Sequence, residues 1–168
     1  MKPLSENEIR GSFVNCSKGE AGRLNLPRGL AELPWEHLDF LGWRDQGAPD
    51  RGYLVAEHGG GLVGVTLRVP SVRRSLRMSN VCSFCISTHA GSGVALLAAR
   101  RAGAAGREGN TVGTYVCADL QCSLYVRGLK QSALVSRAEE SLSQEEQIAR
   151  TVANLGGFLA KVLTDTAA

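Results

Sequence analysis

Two short stretches, Cys82-Ser83-Phe84-Cys85 and Cys117-Ala118-Asp119-Leu120-Gln121-Cys122, stand 31 residues apart in this chain of 168. A C-x2-C turn lets two thiolates converge on one ion while backbone amides point at their sulfurs. The second pair is built differently. Val112 to Val116 reads as a strand that delivers Cys117 at its end, and Asp119 can cap a helix running towards Leu124. Cys122 then falls in the first turn of that helix, whose positive end favours a thiolate. A knuckle, strands and a ligand at a helix start are the plan of a treble-clef finger. Four thiolates, Cys82, Cys85, Cys117 and Cys122, close the coordination shell of one zinc ion, and a closed shell is structural rather than catalytic. Structural zinc contributes on the order of 10–16 kcal/mol of apparent binding energy in finger peptides, so folding becomes metal-dependent.

Other readings of these cysteines are buried free thiols and a redox switch. Finding four of the five cysteines in two close pairs favours the metal. The fifth, Cys16, reads as a small buried hydrophobe on a helix face. His89, shortly after Cys85, reads as a residue beside the site or on the surface, not as a ligand.

Working outward, the spacing predicts an N-terminal helix over about 5–22, opened by the capping box Ser5–Glu8, with Ile9, Phe13 and Cys16 on one face. Pro27 to Asp50 reads as irregular chain pinned by Trp35 and Trp43, with a short apolar element from Leu38 to Trp43. Strands are expected at Tyr53–Glu57 and Leu62–Val69, and then at Val94–Ala99 and Val112–Val116. Between the last two lies a basic, glycine-rich loop, Arg100 to Asn110. A second capping box, Ser143–Glu146, opens a C-terminal helix over about 143–165 with Ile148, Val152, Leu155, Leu159 and Val162 on its stripe. Gly156 and Gly157 inside it suggest close packing against another element. Gln131 to Gln144 reads as a flexible connection. The expected whole is an α+β fold in a single domain over 1–168: an antiparallel sheet with a four-cysteine treble-clef zinc finger over about 52–130, flanked by N-terminal and C-terminal helices.

Composition sets the outer bounds. Apolar residues make up 43% of the chain and charged residues 21%, which is globular, while aromatics are only 5%. The N-terminus lacks the apolar core of a signal peptide, and no apolar run is long enough to span a membrane. A cytoplasmic location is therefore expected. The net charge of +3 is uneven: residues 68–130 carry nine basic and two acidic side chains, leaving a net −4 elsewhere. A basic centre suggests an acidic partner, RNA or protein, although a solvated face around an anionic metal site is an equal reading.

No catalytic pattern emerges. Gly59 to Gly64 matches G-x-G-x-x-G, but Leu62 to Val69 alternates as a strand, so no helix N-terminus awaits a pyrophosphate. The glycines from Gly103 to Gly109 lack a phosphate loop's ending. His37, His58 and His89 have no nucleophile partner by spacing. No enzyme and no small-molecule substrate is expected.

Three stretches carry a resemblance besides Cys82–Cys85: Gly11-Ser12-Phe13-Val14-Asn15-Cys16-Ser17-Lys18-Gly19-Glu20, Leu38-Asp39-Phe40-Leu41-Gly42-Trp43-Arg44-Asp45, and the segment from Gly109 to Cys122. With them the chain resembles the elongation factor G-binding protein family, in its C-terminal treble-clef domain. The best-known branch is the FusB-type fusidic acid resistance proteins. The resemblance implies a zinc finger, with the four cysteines as ligands, that docks on elongation factor G. In the resistance proteins such docking releases the drug-stalled factor from the ribosome. That branch adds an N-terminal helical bundle, whereas here one short helix precedes the sheet, so partner binding is a safer expectation than drug resistance. Partner contacts would lie around Arg107 to Thr111 and after the Cys122 helix, with Arg100, Arg101, Arg107, Asn110, Thr111 and Arg127 as candidates on the zinc lobe. The competing functions are ribosome or rRNA binding, for which Tyr115 and Tyr125 are the only stacking candidates nearby, and redox sensing.

Overall fold

Alternating apolar residues build one antiparallel sheet of five strands in the simple order β1-β2-β3-β4-β5: β1 Phe40–Arg44, β2 Arg51–His58, β3 Gly61–Arg68, β4 Val94–Arg100 and β5 Thr111–Cys117. These come from a computed structural model, which describes residues 1–69, 81–131 and 140–164. The expected flexible connection from Gln131 to Gln144 lies mostly outside the described residues, as do Arg73, Arg74, Arg77 and the last residues of the chain. No helix among the described residues is long and apolar enough to cross a membrane.

The register explains where the core sits. Gly42 faces Leu54, and Trp43 faces Tyr53. Paired residues share a face and successive residues alternate faces. Phe40, Leu54, Val65, Leu97 and Val116 therefore enter one core, together with all four paired cysteines. Leu41, Trp43, Tyr53 and Val55 enter a second core on the opposite face. The first face is covered by α5, Gln144–Leu163, through Leu155, Phe158, Leu159 and Val162. The second is covered by the N-terminal segment, through Ile9, Leu24, Trp35 and Leu38.

Several expectations change. The N-terminal helix over 5–22 is two short helices, α1 Glu6–Gly11 and α2 Lys18–Gly22, and the second has its own capping box, Ser17–Glu20. Between them the chain bends, and Phe13 bridges Gly64 of β3 in parallel. Asn15 there acts as a spare peptide. Its Nδ2 donates to the carbonyls of Thr66 and Arg100, and its Oδ1 accepts from the Thr66 amide at 2.8 Å. This joins β3 to β4, whose own ladder has only the pairs Leu67–Ala99 and Arg68–Ala98. Cys16 consequently lies half-exposed, not in the core. The sheet starts at Phe40 rather than near residue 52, because the short apolar element is the edge strand β1. The basic loop contains a helical turn, α3 Gly103–Arg107.

The capping box at Ser143 and the extent of α5 agree with expectation, but its stripe runs through Thr151 and Phe158, while Val152 is exposed. A Cβ on Gly156 would meet only the His58 ring, at 3.8 Å, and one on Gly157 would meet nothing within 4 Å, so close packing does not account for both.

Candidate metal centre

The first cysteine pair sits on a small hairpin closed by the Val81–Thr88 bridge. The Cys82 amide donates to the Ser87 carbonyl, and the Ile86 amide returns to the Cys82 carbonyl at 2.9 Å. That tight return forces Ile86 to a φ of 60°. The Phe84 amide donates to Cys82 Sγ at 3.4 Å, a knuckle's amide-to-sulfur contact. The Ser83 amide pins this hairpin to the Tyr115 carbonyl of β5, and Asn154 of α5 donates to the Phe84 carbonyl.

The second pair lies where β5 ends. Cys117 is its last residue, and the chain turns through Leu120, at a φ of 61°, into α4, Cys122–Val126. Among the described residues, Ile86 and Leu120 are the only non-glycine residues at positive φ, one in each cysteine turn. Such backbone costs on the order of 1–3 kcal/mol and persists only where the surroundings over-determine it. Cys122 occupies the first turn of α4 as expected. Asp119 does not cap it; Gln121 is the capping position, and Asp119 Oδ1 accepts the Gln121 amide instead.

The two turns bring Cys82, Cys85, Cys117 and Cys122 together, all buried, with every sulfur within 4.8 Å of the others. The Cys82–Cys122 and Cys85–Cys117 sulfurs are 3.6 Å and 3.5 Å apart. A tetrahedron with metal–sulfur bonds of about 2.3 Å has edges of about 3.8 Å. The quartet therefore fits a tetrahedral ion. Hydrogen bonding, from Cys117 first and then Cys122, pushes Cys82 and Cys85 towards thiolate. The same group, Cys117 first, holds Cys122 strongly protonated. A divalent cation removes such shared protons outright.

Around the quartet lie His89, which the sequence placed beside the site or on the surface, and Ser87, which spacing did not single out. His89 is 2% exposed, and its Nε2 lies 3.3 Å from Cys117 Sγ and 2.9 Å from Ser87 Oγ. Ser87 Oγ is in turn 2.8 Å from Cys85 Sγ. With an ion bound, the thiolates would only accept, so Ser87 would donate to Cys85 and the His89 Nε2–H to Ser87 and Cys117. Of the two readings of His89, beside the site or on the surface, the structure shows the first. Gly93 makes room for this histidine, since a Cβ there would sit 2.6 Å from the His89 Cβ. The Tyr125 ring stands edge-on to the imidazole, and its hydroxyl donates to Asp119, which also pairs with Lys130. The available signal was local, since Ser87 and His89 follow Cys85 within four residues.

The second turn is laid flat on the sheet. A Cβ on Gly42 would lie 2.6 Å from the Leu120 carbonyl oxygen, so only glycine lets β1 pass beneath it. Gln121 Nε2 donates to the Gly42 carbonyl. Arg127, a residue expected to contact a partner, closes α4 onto the chain before β1: its two terminal nitrogens hold Asp39 at 2.6 Å and 2.9 Å. That guanidinium is committed internally.

The remaining candidates are elsewhere. Arg100 pairs with Thr111, and Val94 with Cys117, at opposite ends of the β4–β5 hairpin. Thr111 and Cys117 are six residues apart on one strand, about 20 Å at the usual rise. Arg100, Arg107, Asn110 and Thr111 are exposed there, away from the sulfurs, so the expected placement on the zinc lobe does not hold. Arg101 donates to the Lys161 and Thr164 carbonyls at the end of α5.

A family model, the FBP C-terminal treble-clef zinc-finger, matches residues 8–162. No curated protein and no solved structure matches the chain.

Proposed function

The chain belongs to the FBP C-terminal treble-clef zinc-finger family, and on that premise we propose that it is a zinc-held binding module for translation elongation factor G. The family is one of non-catalytic zinc-finger domains. The observation that carries the proposal is the family match across nearly the whole chain, around an intact four-cysteine set. Zinc is the ion the set suits: it is sulfur-only, closed and spaced for tetrahedral coordination, with no open position for water or substrate. The ion's role is to hold the two cysteine turns together, which fixes α4 and the end of β5 in place.

The partner surface would use side chains that the fold leaves uncommitted. Arg107, Asn110 and Thr111 are exposed on α3 and the start of β5, with Arg100 beside them. Leu129, just past α4, is 57% exposed and would suit an apolar contact at an interface edge. Release of the factor from the ribosome, or tolerance to fusidic acid, would be consequences of such binding.

Calorimetric titration of the zinc-loaded chain with purified elongation factor G tests the proposal. Saturable binding that disappears in Cys82→Ser is the expected result. No heat and no retention at micromolar concentrations would refute it. Binding to ribosomal RNA instead, weakening steeply as salt rises, would favour a nucleic-acid role.

A further inference from the structure

The sheet face opposite the cysteines carries an arrangement the zinc site does not use. Arg51 of β2 stands directly across from Arg68 of β3. Arg68 in turn faces Ala98 of β4, and Arg100, two residues on, shares that face. Like charges directly opposite in a sheet are destabilising. These arginines, with Arg23, line one concave groove of about 800 Å³ between the strands and α2. The volume is in the range of small-ligand sites. Among the described residues none of the four guanidinium groups forms an ion pair.

The carboxylates lining the groove do not resolve this. Asp45 is buried and taken up by Tyr53, Asn25 and the Gly47 and Ala48 amides. Glu20 is bound to the Ser17 amide and hydroxyl in its capping box; Arg100 and Arg68 lie close enough to help hold its carboxyl below the usual range, but neither forms an ion pair with it. Asp50 is exposed and forms no ion pair among the described residues. The groove floor is rigid, because Asn15 ties Thr66 to Arg100 there.

We propose that this groove binds the dianionic phosphate of a phosphate monoester between Arg51 and Arg68, with Arg100 alongside. Two guanidinium groups on directly paired residues, with that of Arg51 also close to the Tyr53 hydroxyl, suit an acceptor with more than one oxygen pair. A carboxylate offers two oxygens and one charge, whereas a phosphate monoester offers three oxygens and a charge of about −1.5 to −2. The groove's one aromatic residue, Tyr53, is 2% exposed, so nothing there can stack on a base. The phosphate itself is what is read, whether it is carried by a phosphorylated side chain, a nucleotide or an RNA 5′ end. The groove shares Arg100 and Thr111 with the proposed partner surface, but Arg51 and Arg68 lie outside that surface, so the phosphate site is tested through those two residues.

The test uses the full zinc-loaded chain, by thermal shift and calorimetry at matched ionic strength. Inorganic phosphate, phosphoserine and adenosine 5′-monophosphate should each stabilise it, and acetate should not. Arg51→Gln and Arg68→Gln should each weaken phosphate binding about 10-fold to 100-fold. Each should also raise the ligand-free Tm by about 1–4 °C, because the like-charge pair is relieved. A phosphopeptide and a 5′-phosphorylated RNA oligomer then distinguish the sources by which binds more tightly. No stabilisation by phosphate at tens of millimolar overturns the proposal, as does equal stabilisation by acetate. A phosphate response left intact in both variants also overturns it. So does a loss of ligand-free stability in the variants, which would mark the arginines as structural.

Discussion

The two faces of the sheet are stabilised by different means. One face buries four cysteines, Phe84, Leu120 and the apolar stripe of α5, and its two cysteine turns meet at the sulfurs, at the Ser83–Tyr115 backbone bond and through His89. The other face buries Trp35, Trp43 and Tyr53 under the N-terminal segment and then, towards β4, opens into an arginine groove. Aromatic burial accumulates residue by residue, at about 25 cal/mol per Å² of apolar surface. A metal cluster is all-or-none, since losing one ligand undoes the closed shell. Each face buries three aromatic side chains, Phe40, Phe84 and Phe158 beside the cysteines and Trp35, Trp43 and Tyr53 on the other, so it is the metal cluster and not aromatic content that sets the faces apart.

The largest test removes the ion. Cys117→Ser should abolish stoichiometric zinc and, by the scale of structural sites, lose on the order of 10 kcal/mol of apparent stability. Metal analysis and thermal unfolding check this; a zinc-free variant with the wild-type melt would break the comparison. The near-ultraviolet signal of Trp35 and Trp43 should outlast the sulfur face during chelation if the two faces are energetically separable. Next in size is Gly42→Ala, which forces a Cβ against the Leu120 carbonyl and should cost about 1–3 kcal/mol in denaturant unfolding. An unchanged midpoint would mean that the second cysteine turn is not seated on β1.

A smaller change sharpens the sulfur face without destroying it. His89→Phe keeps a ring against Tyr125 but removes the donor to Cys117. Zinc affinity should fall about 10-fold to 100-fold, as for other partners of metal ligands, with the fold retained. Competition with a chromophoric chelator measures it, the cobalt-substituted protein should shift its thiolate charge-transfer band, and His89→Gln should restore part of the affinity. The smallest effect is on the capped helix. Ser143→Ala removes the side-chain acceptor for the Glu146 amide at the start of α5 and should cost about 1 kcal/mol. A loss several times larger would show that α5 docking depends on its first turn.

Much of the fold was legible in the sequence because it is local. The cysteine pairs, the alternation in β2 and β3, and the three-residue span of the capping boxes are short-range patterns that lie within a few residues of chain. Even there, local reading over-extended: Ile9, Phe13 and Cys16 fit a helical face, yet Phe13 bridges β3 and Asn15 joins two strands. Val152 fits the stripe of α5 by spacing but points to solvent, because Thr151 and Phe158 face the sheet. Leu38 to Trp43 lies in a stretch marked by Pro34, Trp35 and Pro49 and was legible only as a short apolar element; β1 forms because Trp43 and Leu41 find Tyr53 and Val55 across the ladder.

By itself the sequence determined which four side chains would meet on an ion and that they would close its shell, since turn length and thiolate chemistry settle that within a few residues. Only the tertiary structure decided what surrounds them. Arg127 reaches Asp39 across 88 residues, and the Cys117 sulfur meets His89 across 28. It likewise moved the uncommitted arginines to the face and end of the sheet away from the sulfurs. Strand pairing brings such residues together, and the register of that pairing depends on how both faces bury their apolar rows at once.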